Sequence, residues 1–337
     1  MSTKISVIIP ICNVEGYIKH CVETLMLQTL TDNLEYIFVN DATPDKSIEI
    51  LQSVLDKYPE RKDQVIIIDH ESNKGLPSAR NTGLSVANGD YIYHCDSDDY
   101  LEHNTLELLY KKAIEEDADI VWCDYKEIWP NGERYKKQPA FQTAEDAICG
   151  MLIGQMEYNV WNKLVKRTLY TDNGIFFPDG FSMGEDLTMI SLFANARKIA
   201  YVPETLYNYV RTNVSAMTCS MSNDKMKSLV HNVYLMEYCL VEKFGTRFNL
   251  EIATLKLNLK WPYLISSSSI DAYKEWNNWF KEANYYINNQ HVSRRLRFLE
   301  MCAEKQFYWP ILLHYWIVLK FLFPIAKAVH NYSLVLF

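Results

Sequence analysis

The sequence predicts an α/β fold, in which a mostly parallel, Rossmann-like sheet is flanked by helices and followed by a helical C-terminal extension. In the first half of the chain, short apolar runs rich in β-branched residues alternate with amphipathic stretches. This alternation is typical of a parallel sheet with helices on its faces. From residue 222 onward, apolar residues recur at helical spacing. A chain of 337 residues, 48% of them hydrophobic, is long enough for one large domain and such an appendage.

The predicted strands are apolar runs that end in polar or turn-forming residues. They lie at 4–10, 34–40, 65–69, 91–95 and 119–125, with shorter pieces at 199–202 and 206–210. The first run is short, mostly apolar and rich in β-branched residues, as expected of a strand that is buried on both faces. Helices are predicted at 14–30, 45–58, 77–87, 104–117, 185–196 and 222–244, and within 250–300. The stretch 126–184 is richer in turns than in regular elements.

The charge divides the chain into two regions. The net charge is −8, from 34 basic and 42 acidic residues. This balance argues against nucleic acid as the main partner, because phosphate binding needs a basic surface. Residues 281–337 hold seven bases and three acids, so this part carries +4 and residues 1–280 carry −12.

The eight cysteines include no CxxC pair, and several lie inside apolar runs. This usage predicts reduced, mostly buried thiols and a cytoplasmic protein. The polar residues Ser2, Thr3 and Lys4 lead directly into the first strand, so no signal peptide is predicted.

The carboxyl ends of the predicted strands are unusually polar. Asn40 and Asp41 follow the second strand, Asp69 and His70 end the third, and the segment 96–99 (DSDD) follows the fourth. Ligands of open parallel sheets bind beyond these ends. Each polar group alone is also compatible with an ordinary turn. Several of them on successive strands favour a binding site.

Known phosphate-binding and hydrolytic motifs are absent from the sequence. No GxGxxG, GxxxxGK[ST], GxSxG or HExxH pattern occurs. If a nucleotide binds, its phosphates must therefore be bound by carboxylates and a metal ion. The DSDD segment suits a hard divalent cation, Mg²⁺ or Mn²⁺, that bridges a diphosphate and neutralises a leaving group.

Three segments in the first hundred residues resemble glycosyltransferase family 2. They are ISVIIPICNVEGYIKHCVETLMLQTL, FVNDATPDKS and NKGLPSARNTGLSVANGDYIYHCDSDD. The similarity is dense over residues 4–100 and thinner to about residue 220. It implies a GT-A-type fold and an enzyme that uses a nucleotide-diphosphate sugar, most often a UDP-sugar, and inverts the anomeric centre. Cys12 and Ala42 depart from the residues that are common in the family, an aromatic residue and glycine.

The resemblance assigns roles to the residues of the donor-binding half. It places Pro10 and Glu15 in the nucleoside pocket and Asp41 on the base. A second group borders the base, the ribose and the diphosphate: Lys74, Arg80 and Asp96. Asp98 matches the metal ligand of the family's DxD motif.

The resemblance also implies a catalytic base in the second half of the chain. Glu185 and Asp186 open a predicted helix and resemble the family's ED motif, in which the aspartate deprotonates the acceptor hydroxyl. Acids in a first helical turn also simply complement the helix dipole. We expect this dipole to lower the pKa of Asp186 and to keep it ionised at pH 7, with Glu185 in a supporting role. Lys163 and Arg211 either face diphosphate or acceptor charge, or are ordinary surface cations.

The basic tail, residues 294–337, contains the most apolar stretch of the chain, at 307–328. Lysine, histidine and proline interrupt this stretch, which is therefore too short to span a membrane. Its aromatic residues and the preceding arginines favour a helix lying on an anionic membrane surface. The alternatives are a final core helix or an oligomer contact.

We therefore predict a catalytic domain at 1–220, with a donor-binding half at 1–100 and an acceptor and base half at 101–220, and a helical region at 221–337. The predicted function is metal-dependent, inverting transfer of a sugar to a hydroxyl group of a glycan or lipid-linked acceptor. We expect this reaction to serve surface polysaccharide synthesis at the inner face of the cell membrane. Two alternatives are a non-catalytic sugar-nucleotide or polysaccharide-binding subunit and a sugar-nucleotide nucleotidyltransferase. A nucleotidyltransferase would normally have a glycine-rich basic loop after its first strand, which this sequence lacks.

Overall fold

The computed structural model describes residues 3–178, 184–213, 223–289 and 292–322. The chain divides into two compact units. The first comprises residues 1–151 and 155–243, and the second comprises residues 152–154 and 244–337. The helix at Asn223–Phe244, which the sequence analysis assigns to the C-terminal region, lies in the first unit up to Lys243.

A mixed sheet of nine strands, counted over the described residues, forms the centre of the first unit. The strands are β1 Ile5–Ile11, β2 Leu34–Asn40, β3 Val65–Asp69, β4 Tyr91–His94, β5 Tyr100–Leu101, β6 Ile120–Trp129, β7 Gly132–Lys136, β8 Lys163–Lys166 and β9 Ile199–Val210. Their order is β3-β2-β1-β4-β8-β6-β9-β5, with β7 paired to β6. The predicted α/β class and the mostly parallel first half of the sheet are confirmed.

The four parallel strands bring their carboxyl ends to one edge of the sheet. Ile11 is in register with Asn40, and Asn40 is in register with Asp69. Strand β4 runs parallel to β1 on its other side. Every residue of β1 is buried, as predicted for a strand covered on both faces. The polar segments that follow these strands therefore lie side by side, where the sequence analysis places a binding site.

Helices cover both faces of this sheet. Those of the first unit are α1 Ile18–Met26, α2 Ser47–Leu55, α3 Leu76–Val86, α4 Thr105–Glu115, α5 Ala144–Leu152, α6 Arg167–Asn173, α7 Glu185–Asn195 and α8 Asn223–Phe244. Helix α3 lies close to β1, because a Cβ atom at Gly83 would overlap the side chain of Ile8. The prediction for 126–184 is incomplete, since this stretch contains β7, α5, β8 and α6 besides its turns.

The second unit is helical, which confirms the predicted C-terminal extension. Its helices are α9 Asn249–Ser266, α10 Ile270–Asn278, α11 Arg294–Glu304 and α12 Trp309–His314, with a 3₁₀ segment at Lys281–Tyr286 and a π-helical turn at Tyr315–Leu322. The last part of the predicted tail, 323–337, lies outside the described residues. Within the described ranges, every helix is too short or too polar to cross a membrane.

Candidate active site

Asp41 lies at the end of β2, and its buried carboxylate fixes the loop that precedes α3. Its Oδ1 accepts the backbone N–H of Lys74 and its Oδ2 accepts that of Gly75, both at 2.8 Å. The Nδ1 of His70 lies 2.7 Å from the same Oδ1. The carboxylate thus holds the loop beside the expected nucleoside pocket, and the side chain of Lys74 is left exposed.

Pro10 and Glu15 frame the same edge of the sheet. Pro10 is buried near the end of β1, and Glu15 lies in the exposed turn between β1 and α1. The Glu15 carboxylate accepts the backbone N–H of Lys46 at 3.1 Å, and the Glu15 N–H donates to Asp45 at 2.9 Å. These bonds join the turns after β1 and β2. Both predicted residues therefore lie near Asp41 at the carboxyl edge.

The DSDD turn after β4 contains three acids in different environments. Asp96 is partly buried, and burial raises its pKa to about 6 although Arg80 opposes this rise. Burial also raises the pKa of Asp98, whose Oδ2 accepts a hydrogen bond from Asn213 at 2.8 Å. Asp99 is 1% exposed and accepts hydrogen bonds from the Tyr207 hydroxyl and the Val210 N–H, both at 2.7 Å. Asp99 therefore attaches the turn to β9, while Asp96 and Asp98 are only partly buried.

Arg80 joins the donor half to the predicted ED motif. Its guanidinium, 1% exposed, donates to Oδ1 of Asp96 at 2.8 Å and to Oε1 of Glu185 at 2.6 Å. Burial alone would lower the pKa of Arg80, but the two carboxylates raise it and keep the guanidinium charged. The resemblance places Arg80 beside the base and the diphosphate; the structure places it between two acids 89 residues apart in sequence.

Asp186 follows Glu185 in the first turn of α7. Burial raises its pKa to about 6, so the expectation that the helix dipole lowers this pKa is wrong in direction. Desolvation of the charged form outweighs the backbone hydrogen bonds that favour it. The Oδ1 atom of Asp186 is buried and has no hydrogen-bond partner among the described residues. A carboxylate with a pKa near 6 and a free oxygen suits a general base at neutral pH.

Phe177 is held by contacts that the sequence does not indicate. Asn81 donates to the carbonyl of Phe177 at 2.8 Å and accepts the Phe177 N–H at 2.9 Å. The Arg80 guanidinium lies 5.2 Å from the centre of the Phe177 ring. A Cβ atom at Gly184 would overlap Pro178, so this position requires glycine. The only sequence signal for Asn81 is its place directly after Arg80 in the ARN segment.

Lys163 is buried, so it is not the ordinary surface cation that one of the two alternatives describes, and its contact with diphosphate or acceptor stays a prediction. The side chain is 1% exposed, and burial lowers its pKa to about 7. Its Nζ lies 2.5 Å from the Asn159 carbonyl, 2.9 Å from Oδ1 of Asn162 and 3.2 Å from the Glu157 carbonyl. Lys163 therefore fixes the chain before β8 from inside the protein.

Arg211, by contrast, is exposed on an aromatic support at the end of β9. Its guanidinium lies 5.2 Å from the ring of Trp129 and 5.0 Å from that of Tyr209. Asn213, which binds Asp98, follows two residues later. Arg211 is therefore two residues from Asn213, the hydrogen-bond partner of the predicted metal ligand Asp98, and its charge remains accessible to an anion.

The predicted metal site has a limited set of protein ligands. Among the described residues, no three His, Cys, Asp or Glu side chains converge on one point. Mg²⁺ is commonly held by one or two carboxylates together with substrate phosphates. Asp98, with Asp96 beside it, fits such a site, because the partly buried carboxylates leave ligand positions for a diphosphate.

The family model of glycosyl transferase family 2 matches residues 6–187, which is more than half of the chain. The chain belongs to glycosyltransferase family 2. Glycosyltransferase GlyG of Streptococcus pneumoniae is 34% identical over 229 residues, which are 64% of this chain and 74% of GlyG. The uncharacterized glycosyltransferase EpsJ of Bacillus subtilis is 33% identical over 223 residues, 64% of this chain and 62% of EpsJ. The matched part of this chain thus spans less than two thirds of EpsJ.

A solved structure shares the fold of this family 2 member. It is S. aureus TarS 1–349 in complex with UDP-GlcNAc, with a TM-score of 0.73 at 19% identity over 93% of this chain and 91% of that chain. The predicted GT-A-type fold is confirmed. The family membership favours glycosyl transfer over both alternatives of the sequence analysis.

Proposed function

We propose that the chain transfers a sugar from a UDP-sugar to a hydroxyl group of a glycan or lipid-linked acceptor, with inversion, in surface polysaccharide synthesis. The observation that carries the proposal is the Asp96–Arg80–Glu185 bridge, which joins the donor turn to the first residue of α7, directly before Asp186 in the sequence. The UDP-GlcNAc bound by TarS, a protein of the same fold, supports the donor class.

The reaction follows from the placement of Asp186. The acceptor oxygen attacks the anomeric carbon as the bond from that carbon to the diphosphate oxygen breaks. The Asp186 carboxylate takes the hydroxyl proton; the residue is only partly buried, although its Oδ1 atom is buried. With a pKa of about 6, roughly nine tenths of this carboxylate is ionised at pH 7. Burial around Asp186 also limits competition by water for the attack.

Asp98 would hold Mg²⁺ or Mn²⁺ together with the donor diphosphate. The ion, when bound, neutralises the charge that develops on the leaving nucleoside diphosphate. Asp98 is kept in place by Asn213. Arg211 faces charged oxygens of the diphosphate or acceptor from the end of β9, and its aromatic support limits the freedom of the guanidinium.

A donor screen tests this function. Purified protein is incubated with UDP-, GDP- and dTDP-sugars plus Mn²⁺, and nucleoside diphosphate release is measured with and without EDTA. We expect release from a UDP-sugar that EDTA suppresses at least tenfold and that Asp98→Ala suppresses to a similar extent. If the protein releases UDP from none of the UDP-sugars, the proposal is contradicted. If EDTA does not affect the release, the reaction does not depend on a metal ion.

We also propose that residues 294–322, the part of the tail that the structure describes, bind anionic membrane surfaces. Large apolar side chains at helical spacing are exposed there: Trp309 (57%), Leu313 (49%), Trp316 (58%), Ile317 (45%) and Phe321 (64%). The exposed cations Arg294, Arg295, Lys305 and Lys320 accompany them. Aromatic residues with nearby cations suit a bilayer interface with anionic headgroups. Such contact would place the enzyme near a lipid-linked acceptor, at the inner face of the cell membrane.

Sedimentation with liposomes tests the membrane contact. The full chain should sediment with vesicles that contain phosphatidylglycerol and much less with pure phosphatidylcholine. A triple variant, Trp309→Ser, Trp316→Ser and Phe321→Ser, should remain in the supernatant. Tyr285→Ser is the matched control, because Tyr285 is 82% exposed but lies outside the tail. Equal sedimentation of the triple variant and the control would refute this contact.

A further inference from the structure

Arg80 is the one basic side chain in the described residues that pairs with both the DSDD turn and the helix of the predicted base. Its two terminal nitrogens hold different partners, Asp96 through Nη2 and Glu185 through Nη1. A planar guanidinium can form such a fork in fixed geometry, whereas the single ammonium of a lysine cannot reproduce it. The bridge thus defines both a distance and an orientation between the two acids.

The two ends of the bridge are anchored differently. The backbone of Asp96 has its own contacts, since its N–H donates to the Tyr207 hydroxyl at 3.3 Å and its carbonyl accepts the Asp99 N–H at 3.1 Å. Arg80 lies on α3, beside Asn81 and its pair of bonds to Phe177. Arg80 therefore extends from fixed structure toward Glu185, the first residue of α7.

We propose that Arg80 is a positioning residue that acts through Glu185. By holding Glu185 it fixes the first turn of α7, and so aims the Asp186 carboxylate at the acceptor hydroxyl when a donor lies against Asp96. This role rests on the proposed function. It predicts that loss of the fork lowers kcat far more than it lowers nucleotide affinity, because Asp96 keeps its backbone contacts.

The first test needs no substrate. Hydrogen exchange is measured by mass spectrometry in peptides that cover residues 188–192, where Thr188 N–H already bonds to the Gly184 carbonyl. Arg80→Lys should raise exchange there at least tenfold, and so should Glu185→Gln, which remains informative if Arg80→Lys folds poorly. The matched control is Arg61→Lys, because Arg61 is also buried but donates to the Met26, Gln28 and Thr31 carbonyls. Exchange that stays unchanged in both site variants, or rises equally in Arg61→Lys, would overturn the proposal.

The second test is a double-mutant cycle. The UDP-sugar that gives the most UDP release with the wild-type protein serves as donor, and UDP itself is the probe for binding by calorimetry. Arg80→Lys and Glu185→Gln should each lower kcat about 100-fold and change the Kd for UDP less than fivefold. The double variant should be no slower than the slower single variant. Losses that multiply would mean that Arg80 acts independently of Glu185, which contradicts the proposal. A wild-type protein that releases no UDP would refute the proposed function, while the exchange experiment would still decide the role of Arg80.

Discussion

The carboxylates of Asp41 and Asp186 lie in opposite environments, although both residues belong to the same unit. Asp41 accepts two backbone N–H groups and contacts His70, so its oxygens are used by the protein. Asp186 keeps a buried oxygen without a partner among the described residues, and burial raises its pKa to about 6. A satisfied carboxylate stabilises a loop, whereas an unsatisfied one costs folding free energy and is available for chemistry.

The largest effect is expected from Asp186→Asn. This change should lower kcat by about 10³-fold, within the 10²–10⁴-fold range of general bases, with little change in the Kd for UDP. It should also raise the free energy of unfolding at pH 7 by about 1–3 kcal/mol, because it removes an ionised group that folding disfavours. Initial rates of UDP release and urea denaturation measure the two effects.

The sign of the stability effect follows from the raised pKa. The penalty of the ionised carboxylate is absent below about pH 4, grows between pH 4 and about pH 6 and is constant above that, so the variant and the wild type should converge in stability in acid. A variant that is both inactive and less stable at pH 7 would mean that Asp186 is a structural residue like Asp41.

Asp41→Asn should lower the stability of the protein, whereas Asp186→Asn should raise it. An amide can accept at one position only, so one of the Lys74 and Gly75 N–H groups would lose its acceptor. We expect the free energy of unfolding to fall by about 2 kcal/mol, and UDP binding to weaken with it. Asp69→Asn is the control, since Asp69 is an exposed acid at the end of the neighbouring strand and should cost less than about 0.5 kcal/mol. If the two substitutions lower the free energy of unfolding equally in urea denaturation, the Asp41 carboxylate has no special role in stability.

The pH dependence of the wild-type enzyme should report Asp186. Protonation removes the base, so kcat/KM should be nearly constant above pH 7 and should fall about tenfold between pH 7 and pH 5. The donor screen provides the assay, with UDP binding measured at each pH to separate loss of affinity. A profile that stays flat down to pH 4.5 would show that Asp186 is not the group that limits the reaction.

The sequence predicts the parallel half of the fold well because its signals are local. Strands β1 to β4 are predicted within about one residue at each end, and the polar segments after them do converge. Strand β8 was not predicted, because it is a four-residue segment with lysine at both ends that pairs only with distant strands. The burial of Lys163 follows from the same tertiary packing.

The site was predictable in its residue types but not in its connections. The motifs indicate acids at 41, 96, 98 and 186, and the structure places all four in the first unit. No local pattern shows that Arg80 bonds to Glu185, because the two residues are 105 positions apart. The direction of the Asp186 pKa shift also depends on burial, which the helix start alone does not reveal.

The smallest expected effect concerns backbone strain at Ala42, the residue after Asp41. The question is whether the hydrogen bonds of the Asp41 carboxylate to the loop at 74–75 strain the backbone of Ala42. Ala42 has a φ of +50°, a region that favours glycine. Bonds on both sides hold it there, since Asp41 is fixed to the 74–75 amides and the Thr43 N–H donates to Oδ1 of Asn40 at 2.9 Å. Ala42→Gly should therefore raise the free energy of unfolding by about 0.5–1 kcal/mol. Ala87→Gly is the matched control: with φ at −65°, the same substitution should lower stability instead. If both variants are less stable than the wild type in urea, the backbone of Ala42 is not strained. The Asp41 carboxylate would then hold the loop at 74–75 without a cost in free energy at the neighbouring residue.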